Sequence, residues 1–149
     1  MRLFSKHIDI NEYSSDYDDS YQVTPYFTYG MFRCSKCISN HMCIDTIRLL
    51  EKARTLSQAI YPPIHYKIVH GYVCNTHIHH YSKVEGNKIA NTHTTGRAVD
   101  IACNDSISRY SILYGLLNSG ISRIGIYSNH IHVDTVITGG YSIIYVGDR

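Results

Sequence analysis

The sequence predicts a single α+β domain in which a mostly antiparallel sheet is flanked by helices. A length of 149 residues is that of one domain. Two segments repeat apolar residues with the 3.6-residue period of an amphipathic helix. Several other segments are short alternating runs bounded by turn residues, which is typical of strands. Helices that flank a mostly antiparallel sheet define the α+β class.

Two helices are predicted from this period and from the residues at the helix ends. The first covers about residues 43–59, and it ends because the prolines of Tyr61-Pro62-Pro63 cannot continue a helix. The second covers about residues 106–118, with Asp105 as its N-cap and Gly120 as its C′ residue. The periodic apolar positions of the first helix are Ile47, Leu50, Ala53, Leu56 and Ile60.

The strands of the sheet are predicted from short runs that end at turn residues. These runs are residues 65–70, 97–101, 123–127, 130–135 and 141–146. The third and fourth runs form a hairpin across Ser128-Asn129, and the polar residues 75–92 are predicted to form a long loop. Alternation along the fourth run places His130, His132 and Asp134 on one face of the sheet, with the apolar residues between them on the other.

Charge and hydropathy exclude two classes of partner. A net charge of +2 without a Lys/Arg run argues against nucleic-acid binding. No apolar stretch is long enough to span a membrane, and none follows the basic N-terminus as in a secretory signal, so we expect synthesis in the cytoplasm. Residues 1–30 mix Asp, Tyr and Ser without a period. They are predicted to be an N-terminal arm that precedes a domain of residues 31–149.

The five cysteines do not have the pattern of a disulfide framework, because their number is odd. Cys34-Ser-Lys-Cys37 is half of a zinc-ribbon pattern whose second CxxC is missing. His41, Cys43 or Cys74 could complete a site with four ligands at this pair. The alternative interpretation, which is favoured at this point, is that these residues are free or partly paired thiols.

A different set of residues has the composition of a catalytic metal site. His93, Asp100 and His132 offer two imidazoles and one carboxylate at strand and turn positions, and a turn at Gly96 lets His93 and Asp100 converge. Two nitrogens and one oxygen leave the fourth tetrahedral position open, as in catalytic zinc sites that hold water there. Structural zinc sites are more often closed by four ligands, largely Cys. The sequence therefore predicts a zinc hydrolase.

Four motifs and one helix occur in a characteristic order along the chain. The motifs are Phe32-Arg-Cys-Ser-Lys-Cys37, Gly71-Tyr72-Val-Cys74, the HxxGxAxD motif of residues 93–100, and Gly125-Ile-Tyr127 followed by the His-Ile-His-Val-Asp motif of residues 130–134. The first predicted helix lies between the first two motifs. In this order the chain resembles, over about residues 4–146, the M15 family of zinc peptidases. That family includes D-Ala-D-Ala carboxypeptidases and peptidoglycan endopeptidases, and hedgehog signalling domains share its zinc fold.

The resemblance implies a metal, a ligand set and a substrate. By it, His93, Asp100 and His132 bind Zn²⁺, and the substrate is a peptidoglycan peptide. The implied activity is cleavage of an amide bond in a stem peptide or in its cross-link. The ion would lower the pKa of the attacking water toward ~7, and a general base would take the proton from that water.

The chain departs from the family pattern at positions that contact substrate. Val73 occupies the place of an Arg that many relatives use for a substrate carboxylate or carbonyl, and Val cannot do this. Arg97 or Arg123 could replace that Arg. Asn91, in the place of a family Ser, and Tyr72 are further candidates for substrate contact.

A further departure concerns the general base. Several branches of the family have Asp or Glu three residues before the last ligand, and this chain has Asn129, which cannot accept a proton. His130 is predicted to be the base, because it lies on the same strand face as His132 and has a suitable pKa. Asp134 is predicted to orient a ligand histidine by a hydrogen bond.

Two main functions remain open at the level of sequence, besides a zinc amidase with some other peptide-like substrate. The first is a phage or viral peptidase that acts on the cell wall after release or as part of a virion. The alternative is a non-catalytic zinc-binding module, structural or wall-binding, in a virion or larger assembly. The complete set of three ligands favours the enzyme, whereas Val73 and Asn129 favour the module.

Overall fold

The computed structural model describes residues 17–76, 92–136 and 142–147. They form one α+β domain with a five-stranded mixed sheet, which confirms the predicted class. In chain order the elements are a 3-10 helix (Tyr29–Phe32), α1 (Ile44–Ser57), β1 (Ile68–His70), β2 (Ala98–Ala102), α2 (Ser106–Ser119), β3 (Arg123–Ile126), β4 (His130–Asp134) and β5 (Ile143–Val146).

The strands are ordered β1-β2-β4-β3-β5 across the sheet. The β1–β2, β2–β4 and β3–β4 pairs are antiparallel and the β3–β5 pair is parallel, so the sheet is mostly antiparallel, as predicted. In this register Asp100 of β2 lies opposite His132 of β4. Side chains of residues directly opposite each other on one face of a sheet are close enough to interact.

The two faces of the central strands have different roles. Val99, Ile101, Ile131 and Val133 point to one face and belong to the main hydrophobic core. The same core contains the buried residues of both helices, which pack on each other. The helical members of the core are Ile44, Ile47, Leu50, Ala53, Ile112 and Leu116. The opposite face carries Asp100 and His132, so apolar packing supports the face that bears the polar residues.

Local signals at the helix ends agree with the structure. Asp105 caps α2, because its carboxylate accepts a hydrogen bond from the Ser108 amide at 2.8 Å. Gly120 ends α2 with a φ of 95°, which confirms the predicted C′ glycine. Neither α-helix of the described residues is long and apolar enough to cross a membrane.

The ends of other elements differ from the prediction. The strand predicted at 65–70 is shorter in the structure, where β1 covers Ile68–His70. Before it, Tyr66 is buried in the core, with its hydroxyl 3.5 Å from the Ile112 carbonyl of α2. From the predicted N-terminal arm, Phe27 and Tyr29 are also buried in the core. The predicted loop at 75–92 falls mostly on residues outside the described ranges, as do residues 1–16 and 141.

The contact between the two helices depends on a residue without a side chain. A Cβ atom at Gly115 of α2 would clash with the backbone carbonyl oxygen of Ala53 in α1. We therefore expect Gly115→Ala to destabilise the protein by about 1–3 kcal/mol through overpacking. Helix propensity alone would give the opposite sign, about 1 kcal/mol of stabilisation. Urea unfolding measures the difference in the free energy of unfolding between Gly115→Ala and the wild type.

Leu117→Ala is the control for this prediction, because Leu117 lies on the same helix and is 55% exposed. Its substitution should change the free energy of unfolding by less than ~1 kcal/mol. A Gly115→Ala protein more stable than the wild type would contradict the packing argument.

Candidate metal centre

The three residues predicted to bind a metal come together in the structure. Asp100 and His132 are cross-strand neighbours on β2 and β4, and His93 lies in a helical turn of residues 92–94 before β2. All three side chains are buried, with at most 1% of each residue exposed. One ligand atom from each lies within 4.8 Å of the others, so this group could hold a metal ion.

The turn at Gly96 brings His93 to the start of β2. Gly96 has a φ of 69°, and a Cβ atom there would clash with the carbonyl oxygen of His41. Its amide donates to the His93 carbonyl at 3.1 Å, and its own carbonyl accepts from the Cys43 amide at 2.9 Å. The glycine therefore allows the sharp turn and also the close approach of the chain that leads into α1.

The ligand atoms lie close enough together for one metal ion to contact all three. Asp100 Oδ1 lies 2.9 Å from His132 Nδ1 and 3.3 Å from His93 Nε2. Zinc–nitrogen and zinc–oxygen bonds of about 2.0–2.1 Å give an edge of roughly 3.3 Å between two ligands of a tetrahedron. The donor set thus has the spacing as well as the chemistry of a metal site.

Hydrogen bonds on the far side of each imidazole orient it toward Asp100. His93 Nδ1 lies 2.8 Å from the carbonyl oxygen of Gly71, which can only accept, so this nitrogen carries the proton. His132 Nε2 donates in the same way to Asp134 Oδ2 at 3.0 Å. In the neutral rings that a bound metal would require, the other nitrogen of each ring would direct its lone pair toward Asp100. Partners of this kind fix the tautomer of metal-binding histidines.

Arg123 stabilises the carboxylate that orients His132. Its Nε atom lies 3.1 Å from Asp134 Oδ2, and the Val136 amide donates to Asp134 Oδ1 at 3.2 Å. Asp134 is buried, so the guanidinium charge and the amide donor offset the free energy of removing its charge from water. Arg123, one of the two cations considered for substrate binding, thus contacts Asp134.

The buried groups of this site shift each other's pKa values. Burial alone would raise the pKa of Asp100, but the charge of His93 and hydrogen bonds from His132, His70 and His93 hold it well below the usual range. Burial alone would lower the pKa of His132, but its hydrogen bonds to Asp100 and Asp134 raise that pKa to about 9. The site without metal therefore favours a carboxylate beside an imidazolium.

The other predicted site residues are less buried than the three candidate ligands. His130 is partly exposed, its ring stacks on that of Tyr127 at 4.4 Å, and its Nδ1 lies 2.7 Å from the side-chain oxygen of Asn129. Arg97 is partly exposed immediately before β2. Tyr72 is also partly exposed, with its ring 5.2 Å from that of His41. Asn91 lies outside the described residues.

Sequence reasoning missed two residues beside the ligands. His70 Nδ1 lies 3.4 Å from Asp100 Oδ2, and the His70 side chain is 27% exposed. Tyr145 of β5 packs with its ring 6.4 Å from that of His132, and burial, followed by the neighbouring Tyr127, raises the pKa of its phenol. The pairing of β1 with β2 could have indicated His70. The position of Tyr145 beside His132 depends on the parallel pairing of β3 with β5, which no local sequence pattern predicts.

Comparisons with known proteins give no assignment of family. No protein-family model, no curated protein and no solved structure matches this chain. The resemblance to M15 peptidases therefore depends on the motifs and on the geometry of their residues.

The raised pKa of His132 predicts how the stability of the metal-free protein depends on pH. The proton on His132 stabilises the folded state below about pH 6.5, the pKa of an ordinary histidine, and this stabilisation is lost as the pH rises through about 9. We expect the free energy of unfolding in the presence of chelator to decrease over this range.

His132→Gln is the matched control, because the amide does not titrate. Thermal or urea unfolding from pH 6 to 10 should show a smaller decrease for this variant than for the wild type. If the free energy of unfolding decreased equally with pH in both proteins, the decrease could not be assigned to His132. A bound metal requires the neutral imidazole, so saturating zinc should abolish the decrease in the wild type.

Proposed function

We propose that this protein is a zinc-dependent peptidase of the M15 type that cleaves an amide bond in peptidoglycan stem peptides or cross-links. The observation that carries the proposal is the convergence of His93, Asp100 and His132 with ligand-like spacing. Three protein ligands leave one tetrahedral position for water or substrate, which is the usual arrangement in catalytic zinc sites.

The donor set favours zinc over other divalent ions. Mg²⁺ and Ca²⁺ prefer oxygen ligands, whereas two imidazole nitrogens and one carboxylate suit zinc and neighbouring transition metals. The hydrogen bonds from His93 to Gly71 and from His132 to Asp134 add the outer partners that zinc-binding histidines commonly have. A bound zinc ion would polarise the scissile carbonyl and lower the pKa of the attacking water.

Two histidines are our candidates for the proton transfer. His70 Nδ1 pairs with Asp100 Oδ2, so that the proton transferred to the leaving amine would be held at its Nε2. His130 lies two residues before His132 on the same strand face, and its ring is stacked on Tyr127. The contact with Asp100 and the partial exposure of His70 support His70 as the first candidate.

The residue at the position of the substrate-binding Arg of M15 relatives cannot bind a substrate carboxylate or carbonyl in this chain. Val73 has 1% of its surface exposed and has no polar atom in its side chain. Arg123 contacts Asp134, and we propose Arg97, which is partly exposed immediately before β2, as the cation for a substrate carboxylate or carbonyl. Tyr72, next to the Gly71 carbonyl that orients His93, is proposed to contact the peptide.

Val73 and Asn129 also support a second candidate function. A chain that binds zinc but lacks both the substrate Arg and the acidic base of M15 relatives could be a structural or wall-binding module of a virion. Both candidate functions require a bound metal, and only the peptidase cleaves peptidoglycan. Metal content and peptidoglycan cleavage must therefore be measured on the same preparation.

The first test measures release of new amino groups from purified peptidoglycan by the zinc-loaded protein. We expect release that a chelator abolishes and that His132→Ala lowers at least about 10³-fold, because the metal contributes several kcal/mol to the transition state. Mass spectrometry of the products would identify the bond.

His65→Ala is the control variant, because His65 is exposed and contacts Tyr26 rather than the metal ligands. It should retain wild-type activity and zinc content. Stoichiometric zinc on His93, Asp100 and His132 without release from several wall types would overturn the peptidase proposal in favour of the module.

A second test distinguishes the two candidate bases. We expect His70→Asn to lower kcat by about 10²-fold or more, the usual contribution of general acid–base catalysis. His130→Asn should lower kcat less than ~10-fold. The reverse outcome would assign the proton transfer to His130.

A further inference from the structure

A second group of metal-binding side chains lies outside the site described above. Cys34, Cys37 and Cys74 bring their Sγ atoms within 4.8 Å of one another. Cys34 and Cys74 are buried and Cys37 is exposed. None of the five cysteines forms a disulfide. We propose that these three thiolates bind a structural zinc ion that positions His93.

The spacing of the sulfur atoms fits a metal site better than a disulfide. Cys34 Sγ and Cys74 Sγ are 3.6 Å apart. Zinc–sulfur bonds of about 2.3 Å give an edge of roughly 3.8 Å between two thiolates of a tetrahedron. A disulfide would require about 2.05 Å. Three thiolates supply three of the four ligands of a closed zinc site and leave the last to a ligand outside this group.

The loop that carries Cys34 and Cys37 is shaped to return on itself. The Cys34 amide donates to the Ser39 carbonyl at 2.9 Å, and Cys37 Sγ lies 2.8 Å from Ser39 Oγ. Between them, Ile38 has a φ of 56°, which is unfavourable for a β-branched residue, and its side chain is 72% exposed. Since Ile38 gains little from packing, the conformation is better explained by the convergence of the thiols.

His41 and Cys43, which the sequence also offered as ligands for the Cys34-Cys37 pair, do not belong to the group.

Cys74 directly follows the segment that orients His93. The amide of Tyr72 donates to the Phe32 carbonyl at 2.8 Å, and the amide of Val73 donates to the His93 carbonyl at 3.3 Å. Gly71 in the same segment accepts the hydrogen bond from His93 Nδ1. A zinc ion on the three thiolates would therefore fix the backbone carbonyl that determines the tautomer and direction of a ligand in the first site.

Metal content and cobalt spectra of the full chain, prepared under reducing conditions, test the proposal. We expect two equivalents of zinc per chain. After substitution with Co²⁺, thiolate ligands should give a charge-transfer band in the near ultraviolet that His and Asp ligands do not give. Cys37→Ser should lose one equivalent and weaken the band, and because Cys37 is exposed the variant should still fold.

Two further variants distinguish metal binding at the cysteine group from metal binding at the first site. Cys103→Ser is the thiol control, because Cys103 Sγ contacts the Asp105 carbonyl, to which a serine hydroxyl can also donate. It should keep both equivalents and the band. His132→Ala should lose one equivalent and keep the band, so the cysteine site is tested independently of any peptidase activity. Folded, reduced wild type without the band would overturn the second site.

The effect of the cysteine-bound zinc on His93 is tested by the zinc affinity of the first site. We expect Cys37→Ser to weaken zinc binding at His93, Asp100 and His132 by about 10-fold or more, in the range found when partners that orient a ligand are lost. Cys103→Ser should leave this affinity unchanged. Equal affinities in Cys37→Ser and wild type would show that the thiolate zinc does not act through His93.

Discussion

The rest of the structure depends on the burial of the Asp100 carboxylate between imidazoles. An isolated carboxylate in the interior is very costly, and it is tolerated only with opposite charge and hydrogen bonds around it. His132 and His93 meet these needs at one oxygen and His70 at the other. The pairing between β2 and β4 therefore has to place these groups together, and this constraint determines the register of the sheet.

The same register determines where the hydrophobic core lies. Because side chains alternate along a strand, a slip of one residue would turn Asp100 toward the helices and expose Val99 and Ile101. Burial of these apolar residues against α1 and α2 and pairing of the polar residues on the other face therefore favour a single alignment. The stability of the fold and the geometry of the candidate site arise from one arrangement of strands.

The sequence was informative where the signal is local. The cap at Asp105, the left-handed Gly120 and the alternation of His132 and Asp134 each involve residues a few positions apart. Contacts set by long-range pairing could not be read in this way. His70 reaches Asp100 through an irregular register between β1 and β2, and Tyr145 reaches His132 through a parallel pair. Neither follows from periodicity.

Cys34 and Cys74 show why the spacing of motifs alone was insufficient. The sequence left three ways to complete the Cys34-Cys37 pair, and the fold brings Cys74 beside it because the segment after β1 runs back past Phe32. That segment also provides the Gly71 carbonyl for His93. A thiolate site and an imidazole–carboxylate site therefore share one short stretch of backbone. If zinc on the thiolates strengthens metal binding at the first site, metal at the first site strengthens binding on the thiolates by the same factor, because binding to linked sites is reciprocal.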